Sequence, residues 1–200
     1  ASASSMRRVF AMLLILFFVG QSYALPSGID GRGDKGCLCH GGGDDSTIVE
    51  LVGLPDVYNS SMIYNITLSI DSPVEQNEVQ GGFRLLISHG EIIGENWQYI
   101  DNGYTHSTDI NDRREWNAVW IPPLDSDVLA TFVVHGNAVN GDGTPQNDEW
   151  NSQSLAVPGP DYTGDIAPPE LSNSLTLPQK IVGVVALILL LTLTYYAVKD

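Results

Sequence analysis

Tyr64-Asn65-Ile66-Thr67-Leu68-Ser69-Ile70 is the stretch that decides the fold class of this sequence. Its apolar side chains stand at every second position, which is typical of a β-strand with one buried and one solvated face. The same period recurs in residues 48–52, 83–88 and 116–120, and residues 129–134 are apolar on both faces, as in a central strand. Turn signals separate these segments, so the sequence predicts an all-β sandwich.

Two hydrophobic segments bracket the predicted sandwich. Residues 1–24 are predicted to hold a cloning remnant or upstream residues, 1–5, followed by a signal peptide with a basic start at Arg7 and small residues before a cleavage site after Ala24. Residues 181–198 are continuously apolar, and we assign residues 179–199 to a transmembrane helix. The sequence therefore predicts a single-pass type I membrane protein with an extracellular or periplasmic ectodomain.

The ectodomain is strongly acidic. Residues 25–178 hold 23 Asp and Glu against five Lys and Arg, and the whole chain has a formal net charge of -15. Such a surface repels nucleic-acid phosphates, so we expect no nucleic-acid partner. It favours a basic protein partner, which the sequence does not identify.

Composition divides the ectodomain into three parts. Residues 25–46 are rich in glycine and are predicted to be an irregular arm. Residues 47–151 are predicted to be the sandwich. Residues 152–178 are rich in proline, serine and acidic residues, which is typical of an extended stalk that holds a domain off the membrane.

The arm carries the only two cysteines of the chain, in the run Gly36-Cys37-Leu38-Cys39-His40-Gly41. Two thiols beside an imidazole are a ligand set for zinc, copper or iron. The run is also one residue shorter than the Cys-x-x-Cys-His motif that attaches c-type haem. The alternative is a local disulfide or two thiols without a ligand in a glycine-rich loop.

A centre at Cys37, Cys39 and His40 needs a further ligand from elsewhere in the fold. His106 lies in a polar segment between predicted strands and is the first candidate. His135, at a predicted strand end, is the second. Each histidine could instead be an ordinary hydrogen-bonded imidazole.

Residues 136–148 form a second polar constellation. Their side-chain oxygens alternate with glycines as in a calcium-binding loop that lacks its closing glutamate, and the candidate ligands are Asn140, Asp142, Asn147 and Asp148. Asn-Gly and Asp-Gly are also strong turn formers, and we favour the turn over calcium. Asn59 and Asn65 each begin an N-glycosylation sequon. No motif for nucleophilic catalysis or phosphate binding is present, so no enzyme activity is predicted.

Several short motifs occur in a characteristic order along the chain. They are Cys39-His40-Gly41, Gly53-Leu54-Pro55, Gly81-Gly82-Phe83, Thr105-His106, Trp116 to Pro122, and Gly136-Asn137-Ala138 with Asn140-Gly141-Asp142-Gly143. Over residues 28–148 this order resembles the prokaryotic reeler-like domains of the choice-of-anchor class. The resemblance implies an immunoglobulin-like, reeler-like sandwich at the cell surface.

For members with Cys-x-x-Cys-His, the resemblance also implies covalent haem. It would make Cys37 and Cys39 the thioether cysteines, His40 the proximal ligand and His106 the distal one. This chain has one residue between the cysteines where the motif has two. Direct ligation of copper or zinc by the same side chains is the alternative.

Two functional hypotheses follow. The first is a membrane-anchored extracytoplasmic protein that binds haem or a transition metal through Cys37, Cys39 and His40 and takes part in electron transfer. The second is a cell-surface interaction or adhesion module in which the cysteine motif is a structural metal site or a disulfide. Calcium-dependent adhesion is a weaker form of the second hypothesis and depends on the loop at residues 140–148.

Overall fold

The computed structural model describes residues 27–40, 43–171 and 177–198. The predicted signal peptide and cloning remnant, residues 1–24, lie outside the described residues. The described chain belongs to two compact units: the first contains residues 27–171, and the second contains the C-terminal helix.

In its described part, the first unit contains nine strands. They are β1 (Ile48–Val52), β2 (Tyr64–Asp71), β3 (Gly81–Ile87), β4 (Glu91–Gly94), β5 (Gln98–Ile100), β6 (Gly103–Thr105), β7 (Glu115–Ile121), β8 (Leu129–Ala138) and β9 (Glu149–Pro158). One sheet has the order β1-β2-β7-β4 and the other β5-β6-β3-β8-β9, with antiparallel neighbours throughout. The predicted all-β sandwich is confirmed.

The strand order is that of an immunoglobulin-type sandwich with an added hairpin. In such folds one sheet has the order A-B-E-D and the facing sheet contains C-F-G. Here β1-β2-β7-β4 corresponds to the first sheet and β3-β8-β9 to the second. The hairpin β5–β6 extends the second sheet beyond β3.

The core lies between the two sheets and is built by the period-two pattern. Ile66, Leu68 and Ile70 of β2 are buried, whereas Asn65, which precedes Ile66, is exposed. β7 contributes the buried residues Trp116, Ala118 and Trp120. The facing sheet contributes Phe83 and Leu85 from β3, and Phe132 and Val134 from β8. Burial of each large apolar side chain stabilises the fold by roughly 1.5–3 kcal/mol. The central place predicted for residues 129–134 is confirmed, because β8 lies between β3 and β9.

The predicted start of the stalk at residue 152 is wrong. Strand β9 runs from Glu149 to Pro158 and pairs with β8 along its whole length. Its polar residues, such as Ser152 and Ser154, are half-buried and made the segment look like a linker. The sandwich therefore extends to Pro158. The residues that follow, 159–171, form neither helix nor strand.

The second unit contains helix α1 (Leu177–Val198), which is 22 residues long. It includes residues 181–198 of the predicted membrane span. Within residues 27–40, 43–171 and 177–198, no helix meets the combined length and hydropathy expected of a membrane-crossing segment.

Candidate functional site

The arm before the cysteines is fixed to the outer face of the second sheet by a buried arginine. The guanidinium of Arg84, on β3, is fully buried, and its Nε donates to Oδ1 of Asp34 at 2.8 Å. Its Nη1 and Nη2 atoms donate to backbone carbonyls of Ile29, Ile100 and Asp101. A buried charge is stable only when it is paired and fully hydrogen-bonded, so these contacts hold the arm in place.

Gly36, immediately before Cys37, lies directly on the ring of Trp150. Its φ is +106°, and a Cβ atom built there would lie 2.2 Å from Cη2 of Trp150. Trp150 belongs to β9 and is fully buried, and its backbone carbonyl accepts a hydrogen bond from the amide of Asp44 at 2.9 Å. The chain is thus attached to Trp150 on both sides of the cysteine motif. Only glycine adopts this positive φ readily and also leaves room for the indole ring at position 36.

Cys37, Leu38, Cys39 and His40 form a tight turn. Leu38–His40 is one turn of 3-10 helix, and the amide of His40 donates to the carbonyl of Cys37 at 2.9 Å. Cys37 is partly buried, whereas Cys39 is exposed. No disulfide joins the two cysteines. Burial, with a smaller effect of the neighbouring Cys39, raises the pKa of the Cys37 thiol to about 12.

His40 is held by a buried carboxylate. Its Nδ1 lies 2.8 Å from Oδ2 of Asp148, 108 residues later in the chain. The side chain of Asp148 is 2% exposed and that of His40 14%. Because a carboxylate only accepts, Nδ1 of His40 carries the proton of this hydrogen bond. A histidine fixed in this way through one nitrogen is the usual arrangement of a metal-ligating imidazole.

The predicted calcium loop contains the partner of His40 and is closed by its own hydrogen bonds. Oδ1 of Asp148 accepts from the amide of Asn140 at 3.0 Å, and Oδ1 of Asn140 accepts from the amide of Asp142 at 3.0 Å. Oδ1 of Asp142 accepts from the amide and the hydroxyl of Thr144. Asn147 has a φ of +62° and is exposed. These are the contacts of a tight polar turn.

Of the other two candidate ligands, His135 lies in β8 and His106 directly follows β6. Both ring nitrogens of His135 are hydrogen-bonded, Nδ1 to the hydroxyl of Ser152 at 2.5 Å and Nε2 to the carbonyl of Asp34 at 3.2 Å. Burial lowers its pKa. His106 is also buried; its Nδ1 accepts from the amide of Phe83 at 3.1 Å, and its ring fills the space above Gly82.

Burial lowers the pKa of His106 to about 4, against a smaller opposing effect of a hydrogen bond with the backbone carbonyl of Phe83. Within the described ranges, no three or more His, Cys, Asp or Glu side chains are grouped so that they could hold a metal ion. Asp148 thus positions His40 of the cysteine turn, but no complete set of metal ligands is formed among the described residues.

Both predicted glycosylation sites are accessible. Asn59 is exposed in the segment between β1 and β2, where its Oδ1 accepts from the amide of Ser61. Asn65 is exposed on β2. A glycan at either position would point away from the core.

Sequence reasoning missed two residues that position the arm, Arg84 and Trp150. One signal was present for the first. Arg84 interrupts the apolar run Phe83 to Ile87, and a charge on an otherwise buried strand indicates a specific partner. Trp150 gave no such signal, because it falls at the start of a segment that looks polar.

Comparison with known proteins gives only similarities in structure. No protein-family model matches the chain, and no curated protein matches it. Among solved structures, it is similar to the reeler domain of human F-spondin, with 19% identity over 57% of this chain and 91% of that one and a TM-score of 0.38. It is also similar to the Reelin-N domain of F-spondin, with 18% identity over 60% and 91% and a TM-score of 0.40. It is also similar to a conjugative transposon lipoprotein from Bacteroides eggerthii, with 11% identity over 56% of this chain and 97% of that one and a TM-score of 0.36.

Proposed function

We propose that this protein is an extracytoplasmic β-sandwich, tethered to a membrane, whose Cys37–His40 turn binds a transition metal for electron transfer. The observation that carries the proposal is the 2.8 Å contact between Nδ1 of His40 and the buried carboxylate of Asp148. A buried carboxylate costs free energy, and here it fixes the imidazole of a turn whose sequence also contains Cys37 and Cys39. Copper and zinc both accept such ligands, and copper would make the site redox-active.

The three candidate ligands of the cysteine turn differ in how accessible they are to a metal ion from solvent. Cys39 and His40 lie at the surface or near it, so they would meet the metal first. Cys37 is more buried and protonated at neutral pH, because burial raises its pKa. Recruiting Cys37 would release its proton, so binding should tighten as the pH rises.

A small metal ion suits this turn better than a haem. Thioether attachment would need both thiols at one open face, and here Cys37 is partly buried while Cys39 is exposed. His106, the predicted distal ligand, is buried and packs on Gly82. If haem is nevertheless bound, the chemistry it supplies is one-electron transfer.

The test is metal analysis with a visible absorption spectrum on the full chain, purified in detergent from its native host. We expect about one copper per chain, lost in Cys39→Ser and His40→Ala. Zinc in its place would support the metal site but contradict electron transfer, because zinc has no redox chemistry. His89→Ala is the matched control, because His89 is exposed and lies at the turn after β3. A Soret band that survives acid-acetone extraction would establish haem in place of a metal ion. A chain without metal or colour in which both cysteines are disulfide-bonded would overturn the proposal.

We also propose that helix α1 is the membrane tether. Residues 181–191 form an uninterrupted apolar run within this helix, and its large apolar side chains, such as Leu187, Ile188 and Leu191, are exposed. A helix that is apolar on all sides needs an apolar environment. The tether predicts that the full chain stays with membranes during alkaline carbonate extraction. Release into the supernatant would contradict it.

A further inference from the structure

A pocket on the sandwich, separate from the cysteine turn, has an aromatic wall and an acidic rim. Its volume is about 270 Å³. Trp97 forms part of the wall, and the buried Trp116 and Ile110 lie beneath it. The remaining lining residues are polar and exposed; they are Glu95, Asn96, Asp109, Arg113, Glu115 and Asn117.

The aromatic wall is positioned by the backbone around it. Trp97 packs on Phe83 with ring centroids 4.4 Å apart, and its amide donates to the carbonyl of Gly94 at 3.2 Å. A Cβ atom at Gly94 would lie 2.6 Å from the indole ring, so the glycine permits this close packing. Asn96 adopts a φ of +60° in the same turn. The indole is therefore fixed in place before any ligand binds.

The charge of the pocket is negative. Glu95, Asp109 and Glu115 contribute three exposed carboxylates, of which Glu95 lies within the electrostatic influence of Arg113. The only cationic side chain among the lining residues, Arg113, is already paired through Nε with Asp112 at 2.6 Å. An anionic ligand would therefore be repelled, and a cation would be attracted by several groups at once.

We infer that this pocket binds an organic cation, a guanidinium or ammonium group, which the indole of Trp97 contacts while Glu95, Asp109 and Glu115 accept its hydrogen bonds. An aromatic face beside carboxylates suits such a group, because the ring quadrupole and the carboxylates attract the same charge. The volume is below the range of pockets for drug-sized ligands and is suited to the end of one side chain. The cation could come from a free amine or from a lysine or arginine of a partner protein. This inference does not depend on metal binding at the cysteine turn.

The test is a calorimetric titration of the full chain in detergent. The probes are butylammonium chloride as the free cation, N-acetyl-arginine amide and N-acetyl-lysine amide as side-chain analogues, and methyl α-glucoside as a neutral ligand. We expect saturable binding of cations in the millimolar range that weakens with added salt. Tighter binding of the side-chain analogues than of butylammonium would indicate a protein partner, and the reverse order would indicate a free amine.

Variants connect the binding to the pocket. Asp109→Asn and Glu115→Gln should each weaken cation binding by about two- to fivefold, because each removes one exposed carboxylate without changing shape. Trp97→Leu should also weaken it. Asp56→Asn, an exposed carboxylate outside the pocket, should leave it unchanged. The inference is overturned if no cation binds, if the glucoside binds instead, or if Asp109→Asn and Glu115→Gln bind cations as the parent chain does.

Discussion

Nδ1 of His40 and Oδ2 of Asp148 lie 2.8 Å apart and join two segments separated by 108 residues. The first is the cysteine turn of the arm, and the second is the polar loop between β8 and β9. The other oxygen of Asp148 closes that loop by accepting from the amide of Asn140. The loop that resembles a calcium site in sequence thus serves, in structure, to position the imidazole.

Replacing Asp148 should therefore weaken metal binding without removing a ligand. We expect Asp148→Asn to reduce metal affinity about 10- to 100-fold, the usual effect of losing a carboxylate behind a ligating histidine. Competition with a chelator of known affinity measures this change. Asp142→Asn, in the exposed part of the same loop, is the control and should have little effect. Equal affinities for Asp148→Asn and the parent chain would show that the carboxylate does not act on the metal through His40.

The packing of Gly36 on Trp150 should be visible in stability. Gly36→Ala combines a positive φ with a Cβ atom 2.2 Å from the ring, and should cost roughly 2–4 kcal/mol of unfolding free energy. Gly143 also has a positive φ, +79°, but a Cβ atom added there would meet nothing within 4 Å. Gly143→Ala should therefore cost only about 1 kcal/mol. Urea unfolding followed by tryptophan fluorescence compares the two, and equal costs would contradict tight packing at Gly36.

Strand periodicity predicted the larger part of the fold. β1, β2 and β7 show it because one face of each strand is buried and the other is at least partly solvated. β3 shows it in sequence, although both of its faces are buried over most of its length. The short strands β4, β5 and β6 have three or four residues each, too few for a period to be recognised. β9 was missed because the side chains on its outer face are polar. Its pairing with β8 depends on the whole sheet, so the sequence of β9 alone does not indicate it.

The site was predictable only in part, for a related reason. The cysteine turn is a local motif, so its residues can be recognised in the sequence. Asp148 was noticed, but as a calcium ligand, because its contact with His40 depends on where the end of β8 and the start of β9 lie beside the arm. The pocket at Trp97 collects residues from three separate segments, 95–97, 109–113 and 115–117, and no single segment indicates it.

The buried guanidinium of Arg84 should be essential for the arm. Arg84→Met leaves the carbonyls of Ile29, Ile100 and Asp101 without their donor, and we expect a loss of about 3 kcal/mol or more. Arg113→Met is the matched control, because Arg113 and Asp112 form an exposed pair that should contribute at most about 1 kcal/mol. Limited proteolysis of the arm, residues 27–40, should accelerate in the first variant only. Protection of the arm in Arg84→Met would show that other contacts suffice.

His106 should make the sandwich less stable in acid. Burial lowers its pKa to about 4 in the folded protein, whereas the unfolded chain has the ordinary value near 6.5. Between these values the unfolded state binds a proton that the folded state does not, so stability is complete above pH 6.5 and falls as the pH decreases towards 4. The loss attributable to this residue at pH 4 is about 3 kcal/mol.

The difference between His106→Gln and the parent chain isolates this effect from the many carboxylates that also titrate in acid. Glutamine cannot titrate, yet its side-chain oxygen can accept from the amide of Phe83, as Nδ1 of His106 does. Urea unfolding at pH 7 and at pH 4 should therefore show a smaller loss in the variant than in the parent chain. Burial also lowers the pKa of His135, but this residue is present in both chains, so its effect cancels in the comparison. Parallel losses in the two chains would mean that His106 is not held neutral by burial.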